Sequence, residues 1–215
     1  MKRLLLISSL LLITCIGMAA QDPKAKEILD KVSNINRNFK TIQIDFTFTL
    51  NNPKTKASET NTGWVALKGK SYRLHMPALG MDVYSDGKTT WSFLTASNEV
   101  NITEADPESD AALNPANLFT IYEKGFRNTY IGEENVAGKP SFVIELVPEA
   151  KKEYTKVRLY IDKSKYEINK AISYNKDGNA YTLTLKNMKT NQILADDFFK
   201  FNPAKFPKVQ INDMR

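Results

Sequence analysis

Residues 41–50 alternate without a break. Ile42, Ile44, Phe46, Phe48 and Leu50 are apolar, and Thr41, Gln43, Asp45, Thr47 and Thr49 are polar. A period of two sends the two sets to opposite faces of an extended strand, so the stretch predicts a half-buried antiparallel strand and excludes an amphipathic helix. The pattern then recurs. Asn51-Asn52-Pro53-Lys54 makes a turn, a second strand covers residues 58–67, and Lys68-Gly69-Lys70 breaks it. Tyr72, Leu74 and Met76 alternate with Arg73 and His75, and residues 77–80 form a loop. Val83 and the pair Trp91 and Phe93 flank Asp86-Gly87, a dipeptide that suits a type I′ hairpin turn. A short strand follows at Val100 and Ile102.

Two stretches break the rhythm. Asp22-Pro23 pairs a capping residue with proline at the first helical position, and Ile28, Leu29, Val32, Ile35 and Phe39 recur at helical spacing, opposite Lys24, Lys26, Lys31 and Arg37. Midway, after an acidic loop at 104–110, Asn114-Pro115 caps a second short helix carrying Leu118, Phe119, Ile121 and Tyr122, which Gly125 ends. From Phe126 the strands return. Phe142, Ile144 and Leu146 mark one, Val157, Leu159 and Ile161 the next, and Ile172 and Tyr174 lead through Asp177-Gly178 to Tyr181, Leu183 and Leu185. A further strand is expected at 198–201 and an irregular tail after Pro203. The expectation is a mainly β fold with a few helices: about ten to eleven antiparallel strands in a barrel or strongly curved sheet. With no repeat, linker or low-complexity break, residues 21–215 read as a single domain.

The first twenty residues read as a secretory signal. Lys2-Arg3 is the basic n-region, residues 4–16 are mostly apolar but too short for a comfortable membrane span, and Gly17, Ala19 and Ala20 offer cleavage sites. Cleavage after Ala19 or Ala20 leaves a chain starting near Gln21 and lowers the net charge from +6 to +4, too little to argue for nucleic acid. The sole cysteine, Cys15, lies in this segment; Leu12-Ile13-Thr14-Cys15 leaves lipidation as a second reading, and soluble export is the favoured one. The cleaved chain has no cysteine, so disulfides and thiol chemistry drop out.

Catalytic signatures are absent from the sequence. His75 is the only histidine, without partners for a metal site or a Gly-x-Ser-x-Gly elbow for a triad, and no phosphate-binding glycine loop occurs. A pair of carboxylates can meet from anywhere in a chain, but the expectation is a protein that is not an enzyme and needs no metal or cofactor. What remains is an exported sheet with two apolar helices, suited to binding something apolar, with the helices as lid.

The order of motifs resembles the periplasmic lipoprotein carrier family, LolA, over nearly the whole cleaved chain. The resemblance is carried by the signal peptide, the amphipathic helix, the long first strand, Gly63-Trp64-Val65-Ala66-Leu67-Lys68, Tyr72-Arg73-Leu74, Ser85-Asp86-Gly87-Lys88 with Trp91, Asn114-Pro115, and Phe199 and Phe201 before a proline. It implies a half-open antiparallel barrel lidded by helices. It also implies a monomeric periplasmic carrier that shields the acyl chains of lipoproteins between an inner-membrane ABC transporter complex and an outer-membrane acceptor. The acyl cavity would be lined by Phe46, Phe48, Tyr72, Leu74, Met76, Met81, Val83, Trp91 and Phe93, with Leu118, Phe119, Ile121 and Tyr122 on the lid. Where the family commonly has Arg-Pro, this chain has Lys68-Gly69, so the resemblance makes Lys68 the lid latch, without the planar fork of arginine. The alternative readings are that the side chains fill a closed core, or that the scaffold is an envelope sensor or protein-binding module, or carries another apolar lipid.

Overall fold

The computed structural model describes residues 22–106 and 118–215; the signal segment with Cys15 and the Asn114-Pro115 cap lie outside them. One helix, α1 (Pro23–Arg37), precedes twelve strands: β1 (Ile42–Asn52), β2 (Ala57–Lys68), β3 (Ser71–Met76), β4 (Met81–Ser85), β5 (Thr89–Leu94), β6 (Glu99–Glu104), β7 (Phe126–Val136), β8 (Lys139–Pro148), β9 (Tyr154–Asp162), β10 (Ile168–Asn175), β11 (Ala180–Thr190) and β12 (Gln210–Asp213). They form one open sheet in the order β12-β6-β5-β4-β3-β2-β1-β11-β10-β9-β8-β7. All pairings are antiparallel except β12 with β6. The sheet does not close, so both edges remain.

Sequence pattern and observed fold differ in four places, each for a local reason. The twelfth strand lies in the tail expected to be irregular: Gln210–Asp213 runs parallel to β6, pairing Ile211 with Val100. Of residues 198–201, expected as a strand, the first two instead end a 3-10 turn, Asp196–Phe199, in which the Phe198 and Phe199 rings meet edge to face. The second helix is a single 3-10 turn, Ile121–Glu123, within the described residues. In the Asp86 hairpin only Gly87 has positive φ (+84°), so the turn is not type I′. The Asp86 carboxylate instead accepts from the backbone N–H of Lys88 (3.0 Å) and Thr89 (2.9 Å) and closes the turn itself.

α1 begins as its sequence dictates. Asp22 caps it by accepting from Lys24 N–H (2.9 Å) and Ala25 N–H (3.2 Å), and Pro23 fills the first position. The second carboxylate oxygen of Asp22 accepts from the backbone N–H of Tyr130 on β7 (3.0 Å). Tyr130 sits at a register slip of that edge strand. One aspartate thus fixes where the helix starts and satisfies an edge donor. The apolar stripe Ala25, Ile28, Leu29 and Val32 is buried on the sheet. The face of the sheet that receives α1 is called inner below.

The main core joins that stripe to Ile42, Ile44 and Phe46 of β1, Val65 of β2, and inner residues of β8 to β11 such as Ile144, Leu159, Ala171 and Leu183. At 25 cal/mol/Å², each such fully buried aliphatic contributes about 1.5–3 kcal/mol. A close approach needs Gly63. A Cβ there would strike the His75 carbonyl oxygen and lie 2.7 Å from Cζ of Phe46, whose ring lies over its cross-strand partner.

Candidate functional site

Strand register decides which candidates share a face. Across β2 to β6 one inner row runs Val65, Leu74, Val83, Ser92, Asn101. The row beside it runs Leu67, Tyr72, Ser85, Thr90, Thr103, and the one on the other side includes Met76, Met81, Leu94 and Glu99. Phe46 and Phe48 extend the inner face onto β1. Seven of the expected lining residues, Phe46, Phe48, Tyr72, Leu74, Met76, Met81 and Val83, therefore point the same way.

They are not equally enclosed. Phe46 (3% exposed) and Met76 (7%) belong to the closed core, whereas Phe48, Leu74 and Met81 pack against its margin and are only half-buried, as are Tyr72 and Val83. Burial raises the pKa of the Tyr72 phenol, partly offset by a hydrogen bond with Thr90. The inner face thus has a packed half under α1 and a half-buried half on β2 to β5.

Trp91 and Phe93 do not belong to it. They pair with Tyr84 and Asp82, and the pleat sends them to the outer face while Ser92 points in. Phe93 joins Tyr84, Val100 and Phe201 in a second cluster, with Trp91 and Phe206 against it. The Phe93 and Phe206 rings are 4.3 Å apart, and those of Phe201 and Phe206 are 4.9 Å apart and stacked. The C-terminal segment after β11 is the source of these rings and covers the outer face there. Phe198 stacks on Trp64 (6.1 Å), and the Arg73 guanidinium lies against both rings and that of Tyr84. His75 also faces outward, with Nδ1 2.9 Å from the Asp82 carboxylate.

Lys68 is not the latch of the 118–123 segment. The pleat that turns Leu67 inward turns Lys68 outward, where its ammonium donates to the Leu194 carbonyl and the Asp196 carboxylate, both at 2.8 Å. It fastens the C-terminal segment. The lid candidates Leu118, Phe119 and Tyr122 are buried in the main core, with Ile121 against it. Burial pushes the Tyr122 phenol up to about 12, so it stays protonated. What holds this segment to α1 is Glu123, which accepts from Ser33 Oγ (2.6 Å) and Arg37 Nη2 (2.8 Å). Sequence reasoning passed over that contact, since neither Ser33 nor Glu123 departs from an ordinary helix or turn composition. The outer aromatic cluster had a signal that was available: four phenylalanines among residues 198–206, Phe198, Phe199, Phe201 and Phe206, are far too apolar for a solvated tail.

Two recesses lie on opposite sides of the sheet. One of about 490 Å³ lies between α1 and residues 122–128, lined by Leu29, Asp30, Ser33, Arg37, Tyr122 and Glu123. Another, about 320 Å³, opens mainly on the outer side, beside Asp45, Trp64 and His75.

The architecture is that of an open-sheet scaffold with one helix on its inner face. The family model described as outer membrane lipoprotein carrier protein LolA matches residues 37–202, and the chain belongs to that family. An uncharacterised protein of Methanocaldococcus jannaschii is 28% identical over 209 residues, which are 95% of this chain and 59% of that protein, so the chain spans less than two thirds of that relative. Among solved structures, an uncharacterised conserved protein from Thermus thermophilus aligns with a TM-score of 0.61 at 15% identity, covering 88% of this chain and 99% of the other. A LolA superfamily protein from Nitrosomonas europaea aligns at 0.47 and 16% identity, over 82% and 97%.

Proposed function

We propose that the protein is an exported carrier, without enzymatic activity, that shields the acyl chains of lipoproteins on the inner face of its sheet. It would receive them from an inner-membrane ABC transporter complex and deliver them to an outer-membrane acceptor. The observation that carries this reading is the half-buried apolar strip of Tyr72, Leu74, Met81 and Val83 beside a fully packed core. Each acyl CH₂ removed from water contributes about 0.8 kcal/mol, so even partial cover of a long chain is worth having. A carrier must also release its cargo. Half-buried aliphatic, methionine and tyrosine side chains adapt to disordered chains without fitting any one of them closely.

Three acyl chains exceed what a recess of about 490 Å³ can hold, since pockets of about 300–1,000 Å³ enclose a single small ligand. Loading therefore requires the 118–123 segment to part from α1, and the Ser33–Glu123 and Arg37–Glu123 contacts are what must give way. The test is a lipid-extraction mass spectrum of protein purified from its native envelope, with uptake of a triacylated cysteinyl peptide by the delipidated protein. Bound acylated peptide supports the carrier. Delipidated, folded protein that takes up no apolar ligand refutes it and favours a protein-binding scaffold.

A further inference from the structure

The inner face changes chemistry along its rows. After Leu74 and Val83 come Ser92 and Asn101, and after Tyr72 come Ser85, Thr90 and Thr103. β12 adds Asn212, whose Nδ2 donates to Asn101 Oδ1 (3.0 Å) and to the Glu99 carboxylate. Ser92, Glu99, Asn101, Thr103 and Asn212 are all half-buried. An apolar strip on β2 to β4 is thus continued, on the same face, by hydroxyls, amides and one carboxylate on β5, β6 and β12.

Charge adds a second observation. The chain has 30 lysines and arginines, yet none occupies an inner position of β1 to β6 or of β12 among the described residues. The basic side chains of β2 and β3, Lys68 and Arg73, both face outward and are engaged there. Phosphate recognition relies on arginine forks, lysines or clustered backbone N–H groups. A phosphate over this strip would meet Glu99 and, among the described residues, no lysine or arginine on the inner side of these strands. Peptide amides and esters, in contrast, find donors and acceptors in Ser92, Asn101 and Thr103, and a peptide N–H or ammonium finds Glu99.

Resting on the carrier reading, we infer that this strip is a headgroup subsite. It takes the amide-bearing, phosphate-free polar end of an acylated peptide and rejects phospholipids with the same chains. Rejection follows from setting an anion beside Glu99 with hydroxyl and amide donors but no cation, an unpaired charge being how sites discriminate against a wrong ligand of similar shape.

The experiment loads delipidated full-length mature protein with a neutral apolar fluorescent dye. Displacement is measured with a diacylated cysteinyl peptide and with phosphatidylglycerol of equal, short acyl chains. The peptide should displace the dye at a concentration at least about tenfold lower, a difference of about 1.4 kcal/mol. Ser92→Lys supplies the missing cation and should bring that ratio to within a few-fold or reverse it; Thr103→Lys, on the neighbouring strand, does the same should Ser92→Lys fail to fold. Dye uptake with a wild-type ratio near one, or a ratio that neither lysine moves in a folded variant, overturns the headgroup subsite and leaves the carrier standing. Folded wild-type protein that takes up no dye defeats both.

Discussion

Val65 and Leu74 are cross-strand partners on one face of the sheet, yet they differ in enclosure: Val65 is 1% exposed and Leu74 is half-buried. A glutamate placed at each reads the boundary between core and cargo surface. At position 65 the carboxylate loses its hydration with no cation on that face to compensate, which costs several kcal/mol, and the lost valine burial adds about 1.5 kcal/mol or more. Against a total stability of about 5–15 kcal/mol, Val65→Glu should unfold or barely fold at neutral pH, and recover somewhat in acid, where the protonated form is accepted. At position 74 the carboxylate keeps part of its water. The loss is then roughly half of a leucine's burial, about 1–1.5 kcal/mol, or a melting temperature lower by about 2–6 °C in a chain of this length. Circular dichroism melts compare the two variants, and titration with a neutral apolar dye compares binding. Leu74→Glu should stay folded and lose dye binding. Equal destabilisation of the two variants would mean that the inner face is uniformly packed. A folded Leu74→Glu with undiminished dye binding would remove Leu74 from the cargo surface.

Three further expectations follow from the contacts that hold the segments in place. Lys68→Ala releases the C-terminal segment at Leu194 and Asp196; the ion pair is largely exposed, so stability should change little, while hydrogen exchange speeds up across 191–199 and cargo release is unchanged. Glu123→Ala frees Ser33 and Arg37, and should raise hydrogen exchange in 118–123 and quicken both loading and release of an acylated peptide, with the sheet amides unaffected. Asp22 is held below the ordinary carboxylate value of 3.8 chiefly by the Tyr130 N–H, then by Ala25 and Lys24. A depressed folded-state pKa gives stability that is present above 3.8 and lost as the pH falls through the folded value, so acid melts should show a stability loss in that window that Asp22→Asn removes.

Much of this fold was legible because one face of each strand is buried, and alternation then marks both the strand and its face. β1 with Phe46 and Phe48, and β3 with Tyr72, Leu74 and Met76, were readable in this way. Trp91 and Phe93 show where that logic stops. Alternation says that the two share a face but not which face, and here the outer face is apolar too because a distant segment covers it. Lys68 fails for a related reason. Its position next to the β2–β3 turn was correct, but one residue of register separates the inner Leu67 from the outer Lys68, and that decides whether it meets the 118–123 segment or the tail. β12 was missed because four residues with two prolines upstream carry no periodic signal; the strand exists through pairing with β6 and through Asn212, not through propensity. The Glu123 contacts join residues about ninety positions apart, a separation that no local pattern encodes.

The division of the inner face bears on how the proposed carrier could bind weakly and still fold firmly. Stability rests on the half under α1, where Val32, Ile44, Leu159 and Leu183 are fully enclosed, and on the separate aromatic cluster of the outer face, where Phe201 and Phe206 fasten β4 to β6 from behind. On the inner side of β2 to β5 only Val65 and Met76 belong to either set, so Tyr72 and Val83 can be covered or bare without disturbing them. On the carrier proposal, cargo would come and go over Leu74 and Val83 with the 118–123 segment shifting, while the outer clamp keeps those strands in register. An apolar ligand bound there gains only the burial that Tyr72, Leu74, Met81 and Val83 still lack, a fraction of what a closed pocket would supply. On the carrier proposal, that fraction would leave cargo open to capture by an acceptor offering fuller cover, which is the thermodynamic condition for passing it on.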